Sequence, residues 1–197
     1  MSKVRSVGIL VFEDVEVLDF CGPFEVFSVT GRQIAPGSFS VFTVGNVPGP
    51  VLARNGLSVN PEYTLADSPP IDLLLIPGGQ GTRPLLHDAA LIEWITQRAA
   101  TAELVLSVCT GALLLAKAGL LEGLSATTHH GAIGLLREVA PDSTIRDDVR
   151  YADNGRVITS AGVAAGIDMS FHVVDRLLGR ETATATARYI EYPWQPT

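Results

Sequence analysis

Leu104-Val105-Leu106-Ser107-Val108-Cys109-Thr110-Gly111-Ala112-Leu113-Leu114-Leu115-Ala116-Lys117 is the stretch that decides how this chain folds. Its first part is short and apolar, as a strand buried on both faces is. Its second part is apolar all round apart from Lys117, as a deeply buried helix is. Cys109-Thr110-Gly111 leaves room between them only for a sharp turn, the sequence form of a nucleophile elbow. Such a turn lifts the cysteine clear of the backbone, and the helix behind it offers free N–H groups and a partial positive charge. Both favour the thiolate, the reactive form, so the sequence predicts a Cys109 of lowered pKa. The competing reading is a cysteine that packs as a small apolar residue.

Outward from the elbow, strand and helix signals alternate. Residues 5–12 form a nearly continuous apolar run, residues 38–44 alternate, and residues 72–76 read as another buried strand. A helix is predicted from about Pro23 to Val29 with proline in its first turn, and further helices over residues 88–100, 111–118, 133–139, 164–178 and 181–189. Arg54-Asn55-Gly56 between two short extended runs is a hairpin signal. Residues 125–128 read as a short strand, and Ile145 with residues 149–151 is expected to pair with residues 156–160 across Asp153-Asn154-Gly155. The alternation predicts an α/β fold, a mostly parallel sheet with helices on both faces, in one domain over residues 1–197. Ligands of such sheets bind beyond the carboxyl ends of the strands, where Cys109 and Gly78-Gly79 both fall.

Charge and composition exclude several classes. The chain has 197 residues, 47% of them hydrophobic and 18% charged, which is an ordinary globular balance. A net charge of −7 without a basic cluster argues against nucleic acid and anionic membranes as partners. The two cysteines, Cys21 and Cys109, make no disulfide framework, so a reducing cytoplasmic setting is expected. The apolar run near the N-terminus is too short for a signal peptide, and polar residues break the apolar stretch 104–121. His87 and His172 lie far along the chain from His129 and His130, so no metal is expected. No glycine-rich phosphate loop follows the first strand, so a nucleotide cofactor is not expected either.

Four features could join Cys109. Gly78-Gly79 ends a strand; it serves either as a tight turn or by aiming the Gly79 N–H, beside that of Thr110, at an oxyanion. Asp19, between Leu18 and Phe20, either caps a helix near Phe24 or is a partly buried acid of raised pKa beside the sulfur. His129 is a candidate base, or a histidine in a capping turn. Cys21, close to Asp19 in sequence, could reach Cys109 only within disulfide geometry.

Taken together, Ile76-Pro77-Gly78-Gly79, Ser107-Val108-Cys109-Thr110-Gly111-Ala112, Ala126-Thr127-Thr128-His129 and the run Thr159-Ser160-Ala161-Gly162-Val163-Ala164-Ala165-Gly166-Ile167-Asp168 resemble the ThiJ/PfpI superfamily. Its sheet is of the flavodoxin-like, class I glutamine-amidotransferase-like kind. The resemblance spans essentially the whole chain and implies a cysteine elbow, no metal, no organic cofactor and a homodimer. Thr110 stands where the protease-like branch has histidine, and Asp19 stands where deglycase-like branches have glutamate. Asp19 with Cys109-Thr110-Gly111 is most similar to isocyanide hydratases and to the sensing domain of AraC-type regulators. Cys21 departs from the threonine common at its place.

For the hydratase branch the resemblance implies attack of Cys109 on a small electrophile, a terminal isocyanide carbon, with Asp19 moving protons. Thr110 and Gly79 would orient groups through N–H or hydroxyl, Val163 would shape the wall, and His129 would be a support. A formamide is the product. The alternatives are a ligand-sensing module, and a thiol-based protein of aldehyde or oxidative stress. The lack of a helix-turn-helix or basic tail argues against DNA binding by this polypeptide.

Overall fold

The computed structural model describes residues 3–196. Strands β1 (Arg5–Val11), β2 (Phe39–Gly45), β3 (Val51–Leu52), β4 (Ser58–Val59), β5 (Tyr63–Thr64), β6 (Leu73–Ile76), β7 (Leu104–Val108), β8 (Ser125–Ala126), β9 (Thr144–Ile145), β10 (Tyr151–Asp153) and β11 (Val157–Ser160) follow in chain order. The α-helices are α1 (Val17–Val29), α2 (Thr82–Leu85), α3 (Ala89–Thr101), α4 (Gly111–Lys117), α5 (Ile133–Val139), α6 (Ala165–Leu178) and α7 (Arg180–Tyr189).

The main sheet has seven strands in the order β10-β11-β7-β6-β1-β2-β5. All neighbours are parallel except β10 and β11. The central strands read as unbroken apolar runs because both of their faces are covered: every residue of β6 and β7 is buried. Helices α1, α6 and α7 pack together on one side, and α4 packs with α2, α3 and α5 on the other.

Strand order reverses between β1 and β6. From β1 the chain proceeds to β2 on one side, while β6, β7 and β11 lie on the other. The carboxyl ends at such a reversal diverge and leave a crevice. Asp19 follows β1, Gly78 follows β6 and Cys109 follows β7, so the reversal brings all three to one place.

Two expectations need correction, and one strand was not expected. Helix α1 begins at Val17 rather than at Pro23, so Pro23 lies inside it and Asp19 sits in its first turn rather than on a loop. Pro23 has no N–H to donate, a loss normally worth about 3 kcal/mol in a helix interior. Burial of Phe20, Val26 and Phe27 on the same helix offsets that loss. Ile145 does not join the β10–β11 pair; it pairs in parallel with Ala126 in a separate two-stranded sheet. The edge strand β5, parallel to β2, carries no strong signal in the sequence, being only Tyr63–Thr64. The hairpin at Asn55-Gly56 forms as read, with Val51 opposite Val59.

Candidate active site

Cys109 sits at the exit of β7 with φ 57°, a left-handed conformation that costs a non-glycine residue about 1–3 kcal/mol. The surroundings fix it there. Its N–H is directed at the carbonyls of Ser160 and Ala161, at 3.1 and 3.2 Å, at the end of β11. Its own carbonyl accepts from the Thr128 hydroxyl at 2.7 Å. Gly111 follows because a Cβ there would lie 2.0 Å from the Ile76 carbonyl oxygen, so only glycine lets α4 close against β6. Thr128, in the segment read for its histidines, is thus a clamp on the elbow.

Asp19 is fully buried beside that elbow. One carboxyl oxygen, Oδ2, accepts the Gly78 N–H at 2.9 Å. The other, Oδ1, is buried without a hydrogen bond of good geometry. The Cys109 thiol and the Val163 N–H are near enough to act on the acid's ionisation. Burial drives the carboxyl up to about 7, against the lowering effect of the Gly78 N–H. Cys109 is 6% exposed. Burial, and then the charge of Asp19, push its thiol up to about 12.

The low-pKa thiolate expected from the start of α4 is therefore corrected. The Thr110 N–H and hydroxyl do pull the value down, but desolvation and the neighbouring carboxylate outweigh them. Groups this closely coupled titrate as a unit. Above about pH 7 the carboxyl is ionised while the thiol keeps its proton up to about 12, so there the pair holds one proton and one negative charge.

A second correction concerns the glycines. The Gly79 N–H does not stand open beside that of Thr110; it donates to the Thr110 hydroxyl oxygen at 3.0 Å. Gly78 is needed for closeness, since a Cβ would fall 2.5 Å from the Thr110 nitrogen and 2.8 Å from Asp19 Oδ2. Thr82, fully buried and carrying no signal in the sequence, completes the network. Its hydroxyl lies 2.8 Å from the Gly79 carbonyl and 3.2 Å from the Thr110 hydroxyl. The Thr110 hydroxyl also donates to the Gly79 carbonyl, at 3.1 Å, and lies near enough to Cys109 to draw its pKa down.

Cys109, Thr110, Gly79, His129 and Val163 line one cavity of about 150 Å³. Val163, with φ 51°, forms part of the wall. His129 Nδ1 accepts the Gly131 N–H at 3.1 Å, which leaves the ring proton on Nε2. Burial, His130 and Arg83 hold this histidine below its usual pKa. The mouth is charged: Glu16, Arg54 and Arg83 stand there with Gln80. Arg54 arrives on the hairpin, whose backbone is docked by Arg54 N–H to Val15 O at 2.9 Å. Its guanidinium faces Asp14 at 3.8 Å and Glu16 at 3.5 Å. Among the described residues, no group of three or more His, Cys, Asp or Glu side chains is placed to hold a metal ion. Both cysteines are free, so Cys21 makes no disulfide with Cys109. No helix of the described residues is long and apolar enough to cross a membrane.

The sequence is 35% identical to the isonitrile hydratase of Pseudomonas putida over 97% of this chain and 80% of that protein. It is 24% identical to the HTH-type transcriptional regulator GbdR of Pseudomonas aeruginosa over 95% of this chain, which spans about half (51%) of that regulator's length. A solved ThiJ/PfpI family protein from Pseudomonas syringae superposes with a TM-score of 0.87 at 29% identity, covering 100% of this chain and 78% of that one. Residues 5–176 match the DJ-1/PfpI family, and the chain belongs to it.

Proposed function

We propose that this protein is a cofactor-free hydratase that converts small isocyanides to N-substituted formamides. The observation that carries this reading is the buried Asp19 carboxyl beside Cys109, with Cys109 in the wall of a small cavity. Likeness to an isonitrile hydratase over nearly the whole chain supports it.

An isocyanide carbon has both a lone pair and an electrophilic character, so it accepts a nucleophile and a proton at one atom. Sulfur forms the C–S bond while the pair's proton passes to the same carbon. The result is a thioimidate on Cys109 and a carboxylate on Asp19. Water then attacks that carbon; Asp19 takes a proton from it and delivers one to nitrogen. The tetrahedral adduct collapses as its hydroxyl proton returns to the pair, the C–S bond breaks and formamide leaves. One water is consumed and the pair ends as it began. Asp19 Oδ1, buried without a firm partner, is the oxygen available to receive the water's proton. The Thr110 N–H and hydroxyl steady the sulfur when it carries charge.

Incubation with a panel of small isocyanides, read by NMR for the formyl proton, tests the reading. Formamide formation that requires Cys109 is expected. The match to regulators such as GbdR favours a second reading, a ligand-sensing module. Saturable binding of small ligands with no turnover of any isocyanide would select that reading.

A further inference from the structure

Among the described residues, Arg83 at the mouth of the cavity has no Asp or Glu within ion-pair distance, although Glu16 lines the same mouth beside Arg54. Arg83 lines the same space as Cys109. Its Nη1 donates to the Gly79 carbonyl at 2.8 Å and to the Thr82 hydroxyl at 3.1 Å. Both partners are neutral. Arg54, the other guanidinium at the mouth, already faces Asp14 and Glu16. A guanidinium has five N–H donors in a planar fork suited to a carboxylate, and the anchoring of Nη1 holds the fork in place. Beside it, neutral His129 offers its Nε2–H.

The cavity has room for a small ligand. A cavity of about 150 Å³ is the volume in which an apolar engineered site accommodates benzene, about six non-hydrogen atoms. An isocyano group at the sulfur and a carboxylate joined by one carbon amount to that many.

We propose that the cavity selects short isocyano carboxylates, with Arg83 as the specificity-determining residue that pairs with the carboxylate. The proposal takes the reactive end of the substrate from the hydration reading. The carboxylate end rests on Arg83 and the cavity's size. Local pairing, not long-range attraction, would supply the preference, since the chain as a whole carries −7.

The experiment compares isocyanoacetate with its neutral methyl ester. In the unaltered protein the anion is expected to have a kcat/KM higher by about tenfold or more, the effect of one charge-assisted pair. Arg83→Gln should lower the anion-to-ester ratio by about tenfold, mainly through KM, and Arg83→Lys should restore part of it. An ester favoured by the unaltered protein, or a ratio that Arg83→Gln does not move, overturns the proposal. A second measurement does not depend on turnover: binding of N-formylglycine and of its methyl ester to Cys109→Ala, with and without Arg83→Gln. Tighter, Arg83-dependent binding of the anion without turnover of any isocyanide would keep the anion site and remove the hydratase. Turnover of neutral isocyanides without preference for the anion would do the reverse.

Discussion

The floor and the mouth of the cavity are built on opposite principles. The floor, Cys109 and Thr110 backed by Asp19, Gly78 and Thr82, is buried, and among its side chains only Asp19 and Cys109 titrate; both are pushed up by lack of water. The mouth, Glu16, Arg54 and Arg83, is only partly buried. Where water is scarce, removing one hydrogen-bond partner or one charge is expensive; where it is plentiful, exposed ion pairs are worth about 0–1 kcal/mol. Substitutions in the floor should therefore change the chemical step, and substitutions at the mouth should change which ligand is held.

The largest effects test the floor. Cys109→Ala and Asp19→Asn should each cut kcat for isocyanide hydration by about 10³-fold or more, measured as formamide released per unit time. Full activity in Asp19→Asn would mean that the two groups do not work together.

Next comes stability. The folded-state pKa of Asp19 lies above its ordinary 3.8, so the fold favours the protonated acid and ionising it is a cost. That cost is absent below about pH 4, grows between about 4 and 7, and is complete above about 7. Asp19→Asn removes it. The variant should be more stable than the parent by about 2–4 kcal/mol at pH 8 and by much less at pH 4, read from urea midpoints. A variant less stable at both pH values would place the acid among ordinary structural carboxylates.

The smallest effect belongs to the mouth. Arg54 is partly exposed and its contacts with Asp14 and Glu16 are long. Arg54→Gln should change KM by no more than about fivefold and leave kcat and thermal stability nearly unaltered. A collapse of kcat in Arg54→Gln would show that the mouth takes part in the chemistry.

The same contrast decides how much could be read from sequence. Floor residues carry local signatures, because a glycine pair after an apolar strand, or a cysteine between strand and helix, is dictated by its own neighbours. Gly78 and Gly111 are glycines for reasons of close approach that leave a mark in the sequence. The mouth has no such mark. Arg54 arrives because a hairpin docks on Val15, and Arg83 because a short helix follows Gly81. Both are decided by long-range packing. The start of α1 was hidden by Pro23, which elsewhere marks a first turn and here lies within a helix held by its buried face. The direction of the Cys109 shift was illegible for a related reason: the helix start is local, but desolvation depends on everything that covers the sulfur.

The most direct test of the account is the pH dependence of alkylation of Cys109 by iodoacetamide, compared between the parent and Asp19→Asn. If the two groups titrate as a pair, the Asp19 carboxylate formed near pH 7 should hold the thiol protonated, so the parent's reactivity should stay low until pH rises toward about 12. In Asp19→Asn that charge is gone, and the rise should move to lower pH than in the parent. Superimposable profiles for the two proteins would contradict the coupling of acid and thiol on which the proposed chemistry depends.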